Sequence, residues 1–95
     1  MDVNDWRRRI DELDAMLVEL LNERSRCAAE VGRLKRRGGQ PVYQPEREQE
    51  ILERVQRINK GPLGNEALKR LFERILDEAR VVEQRARGDE EPPSS

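Results

Sequence analysis

The chain has 95 residues, of which 35% are apolar and 3% aromatic, so it can form at most one small domain with a modest core. Charged residues make up 41%, but 19 basic and 20 acidic side chains nearly cancel, and a net charge of -1 argues against a nucleic-acid-binding protein. The absence of histidine and the single cysteine exclude the usual zinc sites, an internal disulfide, and Ser/His or Cys/His nucleophile pairs.

The first predicted helix runs from about Asn4 to Arg37, with Asn4 as its cap and Gly38-Gly39 as its stop. Apolar residues recur every three or four positions along it: Trp6, Ile10, Leu13, Leu17, Leu20, Leu21, Ala28, Val31 and Leu34. About 33 residues at 1.5 Å per residue give a helix of roughly 50 Å.

Two shorter helices follow. The loop GGQPVYQP leads into a second helix from Pro45 to about Asn59, and the turn KGPLGN leads into a third that Asn65 is expected to cap. The apolar positions of the second helix are Ile51, Leu52, Val55 and Ile58, and those of the third are Leu68, Leu71, Phe72, Ile75, Ala79 and Val82.

The sequence therefore predicts an all-α fold, a three-helix protomer with one long N-terminal helix. Residues 1–87 form the domain, and the apolar-free tail 88–95 is expected to be disordered. Since the long helix extends beyond what the two short ones can cover, its length favours a homodimer with the long helices packed together. An antiparallel three-helix bundle with a protruding end is the alternative. No apolar run reaches membrane-spanning length and no signal-peptide pattern opens the chain, so a cytoplasmic protein is expected.

Two cations interrupt the apolar face of the first helix. At about 100° per residue from Leu17, Arg24 and Lys35 lie within about 20° of the centre of that face, whereas Arg26 and Arg33 point away. Lys35 lies near the helix end, so an alternative explanation is that its aliphatic chain lies on apolar surface while its ammonium group reaches water. Arg24 lies mid-helix and needs either an internal carboxylate or an anionic ligand, and the spacing does not decide between them.

Long polar side chains also approach the interior from elsewhere. Arg7 lies at the edge of the first apolar face, Arg47 and Glu48 flank the direction of Ile51, and Glu83 lies at the edge of the third face. The combined set is cationic and contains no nucleophile. Such a pocket suits a small dianion held by charge-assisted, bidentate hydrogen bonds.

The features that point to a known family are the spacing of Arg7, Arg24 and Lys35 and three segments: RIDELDAMLVELLNERSRCAAEVGRLK, PVYQPEREQEIL and LKRLFERIL. They resemble the all-helical, AroQ-type chorismate mutases over about residues 6 to 85. The resemblance implies an intertwined homodimer with two active sites, each lined by both chains. It also implies rearrangement of chorismate to prephenate, on the route to phenylalanine and tyrosine, without a metal or cofactor.

The resemblance further implies roles for individual residues. Arg24 and the partner's Arg7 would each hold a substrate carboxylate, and Lys35 would reach a carboxylate and the ether oxygen. Arg47 would support the carboxylate-binding side. Glu48 would accept a hydrogen bond from the ring hydroxyl.

Two positions depart from the commonest family pattern. Glu83 stands where many members have Gln, and an ionised carboxylate there would repel the negative charge that develops on the ether oxygen. We therefore expect Glu83 to act protonated, as a neutral donor. Gln44 stands where Asp is common and is expected to make a weak contact with the substrate hydroxyl.

Two other functions remain open at this level. An isochorismate-pyruvate lyase shares the fold and much of the pocket that the resemblance implies. A non-catalytic helical dimerisation or regulatory module would use the inward-facing cations as structural ion pairs. Members of the resembled family also occur fused to other aromatic-pathway enzymes or regulated by separate ones, so a regulatory partner enzyme is compatible with the sequence.

Overall fold

The computed structural model describes residues 1–88 and contains three helices, α1 (Val3–Gly38), α2 (Pro45–Ile58) and α3 (Asn65–Ala86). The predicted all-α class and the order of one long and two shorter helices are confirmed. Of the predicted disordered tail, residues 89–95 lie outside the described residues. Within residues 1–88, none of the helices has both the length and the apolar character needed to cross a membrane.

The ends of α1 are fixed by local hydrogen bonds. Asp2 is the N-cap: its carboxylate accepts from the backbone N–H of Asp5 at 2.9 Å, and the Asp5 carboxylate accepts from the Asp2 N–H at 3.0 Å. This reciprocal capping box satisfies two free donors, so the predicted cap at Asn4 is wrong and the helix starts earlier. Gly39 ends the helix in the left-handed conformation, with φ at 69°.

The turn between α2 and α3 is organised by Asn59. Its Nδ2 donates to the carbonyl of Leu63 at 2.8 Å and to Oδ1 of Asn65 at 2.7 Å, and its Oδ1 accepts from the N–H of Gly61 at 3.0 Å. Gly64 holds the N-cap position of α3 and Asn65 is the first helical residue. The predicted cap at Asn65 is therefore wrong, because its side chain joins the two helix ends instead.

The apolar core lies between α2 and α3. It consists of Ile51, Leu52, Val55 and Leu76, with Leu68 and Phe72 packed against it. Helix α3 packs against both α1 and α2, whereas in the described chain no Cα of α1 lies within 8 Å of a Cα of α2. Helix α3 therefore lies at the base of a space between α1 and α2.

The N-terminal half of α1 extends beyond this core. The helix has 36 residues and is about 54 Å long, whereas α3 has 22 residues and is about 33 Å long. The predicted apolar face is present but uncovered within the single chain, since Ile10 and Leu17 keep 53% and 55% of their surface exposed. Other exposed members of this face are Trp6, Leu13, Leu20 and Leu21.

Candidate active site

A cavity of about 420 Å³ opens between α1 and α2 over α3, a size that suits a small-molecule ligand. Residues of all three helices and of the loop before α2 line it: Arg24, Cys27, Ala28, Val31, Lys35, Val42, Gln44, Arg47, Glu48, Ile51, Leu76, Ala79, Arg80 and Glu83. The structure thus places all of the predicted site residues on one cavity except Arg7.

Lys35 is the most deeply placed charge of the cavity. It is buried, and its ammonium group donates to Oε1 of Glu83 at 2.7 Å and to the backbone carbonyl of Val42 at 2.9 Å. The side chain therefore does not extend to water, and the alternative of a solvated head group is wrong. Since an ammonium group has three donors, one N–H remains for a ligand.

Gly32 allows Glu83 to reach Lys35. It lies one turn before Lys35 on α1, and a Cβ atom there would lie 2.5 Å from the carbonyl oxygen of Glu83 and 2.8 Å from its Cα. No side chain fits in that space, so glycine permits the close approach of α1 and α3. Sequence reasoning missed this residue, although a glycine inside a helix, which costs about 1 kcal/mol relative to alanine, is itself a signal of tight packing.

Glu83 has one engaged and one free oxygen. Its Oε1 accepts from Lys35, and Oε2 has no hydrogen-bond partner among residues 1–88. The side chain is only 13% exposed. An oxygen in this position can carry a proton and donate it in a hydrogen bond to a ligand.

Arg24 and Gln44 are both available to a ligand. Arg24 is half-buried on the cavity wall and makes no ion pair or hydrogen bond within residues 1–88, so the internal carboxylate that the spacing left open is not found there. Gln44 holds the N-cap position of α2 without a side-chain capping bond. Its amide group is therefore free to bind a polar group in the cavity.

The start of α2 contributes a cation and a carboxylate with different surroundings. Arg47 is largely exposed and pairs with Glu50, one turn later on the same helix. Glu48 is held across the helix interface by Arg80 of α3, whose Nη1 lies 2.6 Å from each carboxylate oxygen. The hydrogen bond to Glu48, with a further contribution from Asp77, raises the pKa of Arg80 above its ordinary value.

Arg80 is the charged lining residue that the sequence analysis overlooked. By helical count it lies only about 40° from the direction of Leu76, which would have placed it beside the apolar face. With it, the cavity has cationic side chains at Arg24, Lys35, Arg47 and Arg80, and carboxylates at Glu48 and Glu83. The cationic excess favours an anionic ligand.

Arg7 lies apart from this cavity. It precedes Arg24 by 17 positions on the same continuous helix, a separation of roughly 25 Å along the axis. Its side chain is exposed. Arg7 therefore cannot reach the cavity of its own chain.

The sequence matches a known family over most of its length. The model of the family described as chorismate mutase type II matches residues 6–84. A bifunctional chorismate mutase/prephenate dehydratase of Pseudomonas aeruginosa is 47% identical over 83 residues, which cover 82% of this chain. The chain spans only 23% of the length of that relative.

Two solved structures share the three-helix arrangement. A chorismate mutase of Thermus thermophilus aligns with a TM-score of 0.86 at 33% identity, covering 93% of this chain and 98% of that one. A chorismate mutase of Helicobacter pylori in complex with prephenate aligns with a TM-score of 0.80 at 31% identity, covering 88% of this chain and 91% of the other. These similarities extend over all three helices.

Proposed function

Because the chain belongs to the chorismate mutase type II family, we propose that it catalyses the rearrangement of chorismate to prephenate. The observation that carries the proposal is the cavity in which the Lys35–Glu83 pair lies beside Arg24, an arginine without a partner among residues 1–88. The prephenate bound to the Helicobacter pylori relative supports the same chemistry.

The cationic lining matches a substrate with two carboxylates. Arg24 presents a planar guanidinium group that can bind a carboxylate through two parallel hydrogen bonds. The remaining N–H of Lys35 serves a carboxylate or the ether oxygen next to it. Arg47 adds positive charge at the mouth of the cavity and supports the side that binds the carboxylates.

The ether oxygen would lie between Lys35 and Glu83. As the C–O bond stretches, negative charge develops on this oxygen, and donors already aimed at it stabilise the transition state more than the ground state. In this proposal Glu83 is protonated on Oε2 when substrate is bound, while Oε1 keeps its bond from Lys35. A neutral donor and a cation then act on the same oxygen.

The ring hydroxyl would bind at the start of α2. Glu48 lines the cavity there. A carboxylate has about four lone-pair sites, so Glu48 can bind Arg80 and also accept a hydrogen bond from the ring hydroxyl. The free amide of Gln44 supplies a second, weaker contact. These contacts orient the ring relative to the two carboxylates.

A rearrangement of this kind breaks a C–O bond and forms a C–C bond within one molecule, so the residues need only bind, orient and stabilise charge. Holding the substrate in its compact conformer supplies part of the acceleration. A millionfold acceleration corresponds to about 8 kcal/mol, which several preorganised charge-assisted contacts can provide.

The proposal includes an intertwined homodimer. Its support is the apolar face of α1, which is uncovered in the single chain, together with the position of Arg7 roughly 25 Å along the helix from Arg24. A two-fold arrangement of antiparallel long helices would bury this face and bring the partner's Arg7 to the cavity. The cavity would then hold one more cation for the second substrate carboxylate.

A link to an enzyme that consumes prephenate belongs to the same proposal. The relative in Pseudomonas aeruginosa is named for both a chorismate mutase and a prephenate dehydratase, which supports such a functional neighbour. A regulatory partner enzyme and a cytoplasmic location remain predictions from the sequence.

Incubation of the purified chain with chorismate tests the activity directly. We expect chorismate to disappear and prephenate to form faster than in buffer, and Arg24→Ala to slow this reaction by about tenfold to a hundredfold. A parallel incubation with isochorismate tests for the lyase, which would release pyruvate. Turnover of isochorismate alone, or of neither compound, would contradict the proposed function.

A further inference from the structure

Arg80 ties α2 to α3 on the wall of the cavity. Its Nη1 lies 2.6 Å from both oxygens of Glu48, and its Nη2 donates to Asp77 one turn earlier on α3. The side chains of Arg80 and Glu48 are 28% and 21% exposed, so this pair is better shielded from water than the surface ion pairs of the chain. Two backbone elements are thus joined by a largely buried ionic contact.

A third neighbour restricts the orientation of the guanidinium group. Its central carbon lies 5.3 Å from the centroid of the Tyr43 ring, a distance at which a cation is attracted to an aromatic face. Arg80 is therefore contacted by Glu48, Asp77 and Tyr43, which belong to α2, to α3 and to the loop before α2. A side chain held from three directions has little freedom to move when a ligand arrives.

The contact fixes Glu48 more firmly than α2 alone would. Glu48 lies in the first turn of α2, where the helix N-terminus favours a carboxylate but does not fix its orientation. Without Arg80, its carboxylate could turn towards the neighbouring cations of the cavity and occupy the place of a substrate carboxylate. With Arg80, it remains on the wall and keeps lone pairs for a donor from the ligand.

We propose that Arg80 is a positioning residue that holds the Glu48 carboxylate on the cavity wall, oriented for the ring hydroxyl of the substrate and away from the carboxylate-binding cations. The role of Arg80 rests on the proposed chorismate mutase function. It acts through Glu48 and touches no reacting atom. If the Arg80–Glu48 ion pair served only to join α2 to α3, its loss would lower the stability of the fold and leave the kinetics of the folded enzyme unchanged.

A double-mutant cycle distinguishes the two roles. Arg80→Met keeps most of the aliphatic stem and removes the charge, and Glu48→Gln removes the carboxylate that Arg80 is proposed to hold. Both single variants, the double variant and the wild type are assayed for kcat and KM with chorismate. The matched control is Arg74→Met on the same helix, since Arg74 is 76% exposed and pairs with Glu78 at 2.8 Å.

Arg80→Met should lower kcat/KM by about tenfold or more, the usual effect of losing a charge-assisted contact. In the Glu48→Gln background the same substitution should change kcat/KM less than about twofold, because residues that act through one contact are not additive. Arg74→Met should match the wild type. Equal losses in both backgrounds, or a lower melting temperature with unchanged kcat/KM, would overturn the role of Arg80.

Arg80→Lys keeps the inference testable if the methionine variant fails to fold. Lysine retains the charge but lacks the planar group that contacts Glu48 and Asp77 together, so we expect a loss in kcat/KM of about threefold or more in a folded protein. Wild-type kinetics in a folded Arg80→Lys variant would overturn the role. Absence of turnover in the wild type would refute the proposed function and this role together, whereas an unchanged kcat/KM in a folded Arg80→Met variant would refute the role alone.

Discussion

Gly32 and Glu83 are in backbone contact across the α1–α3 interface, so closely that a methyl group on Gly32 would lie 2.5 Å from the Glu83 carbonyl oxygen. Lys35 lies one turn later on α1 and pairs with the side chain of Glu83 at 2.7 Å. The absence of a side chain at Gly32 therefore allows the ammonium group of Lys35 and the carboxyl group of Glu83 to form a hydrogen bond in the cavity.

Gly32→Ala should separate the two helices at this point. Because the obstructing atoms belong to backbone, α3 must shift, and overpacking of this kind typically costs about 1–3 kcal/mol. We expect a lower melting temperature and a large loss of kcat, measured by thermal unfolding monitored by circular dichroism and by chorismate turnover. Gly38→Ala is the control, since the nearest atom to its added Cβ is a Gln40 side-chain carbon at 3.8 Å. Equal behaviour of the two variants would contradict the proposed packing constraint.

Lys35→Met should abolish turnover and destabilise the fold. The substitution leaves Glu83 and the carbonyl of Val42 without their donor at a buried position, and breaking a buried pair in this way costs about 3 kcal/mol. Urea unfolding and the turnover assay measure the two effects. Lys60→Met, in the exposed turn after α2, should change neither. An active, stable Lys35→Met variant would exclude the lysine from the mechanism.

Glu83→Gln should flatten the pH dependence of kcat. An anion beside the ether oxygen would oppose the negative charge that develops there, so the role proposed for Glu83 requires a neutral donor at this position. Glutamine keeps an acceptor for Lys35 and supplies a donor that does not titrate. The measurement is kcat with saturating chorismate across pH, with Glu78→Gln, exposed on α3, as the control that should follow the wild type. A wild-type profile in Glu83→Gln would remove Glu83 from this role.

Arg24→Met should lower activity without weakening the fold. Among residues 1–88 this guanidinium group has no hydrogen bond or ion pair to lose, so the melting temperature should stay within a few degrees of the wild type. Losing a charge-assisted contact to a substrate carboxylate should reduce kcat/KM by about tenfold to a hundredfold. Arg26→Met, on the exposed side of α1, should remain fully active. A strongly destabilised Arg24→Met variant would indicate a structural role instead.

Mixing two variants of low activity tests whether the active site is shared between chains. If the partner's Arg7 completes each cavity, a heterodimer of Arg7→Ala and Arg24→Ala chains contains one intact site and one doubly altered site. After unfolding and refolding of an equal mixture, about a quarter of wild-type activity should appear, because half of the dimers are mixed. Each variant refolded alone is the control. No recovery in the mixture, or a monomeric mass in solution, would contradict the shared site.

Helical periodicity identified most of the site in advance. It placed Arg24 and Lys35 on the inner face of α1 because a continuous helix converts spacing directly into direction. It also located Arg47, Glu48 and Glu83 near the apolar faces of the two shorter helices. All of these line the cavity, and so does Gln44, which came from the resemblance to the family alone.

The same reasoning failed where a contact joined separate elements. It overlooked Gly32, whose importance depends on the backbone of α3, and Arg80, whose importance depends on Glu48 in α2. It also assigned the caps of α1 and α3 to asparagines one or two residues from the true positions, since several polar residues near each helix start can act as a cap.

The sequence by itself determined three helices, their order, and the inward direction of most of the charges that line the cavity, because these follow from the local geometry of the backbone. Only the tertiary structure decided which charges are paired. Lys35 has Glu83 and Glu48 has Arg80, whereas Arg24 has no partner in the described part of the chain. The physical reason is that an ion pair between helices forms only when the two charged groups come within about 4 Å of each other across an interface. Packing sets that distance, and for Lys35 and Glu83 the missing side chain of Gly32 permits it.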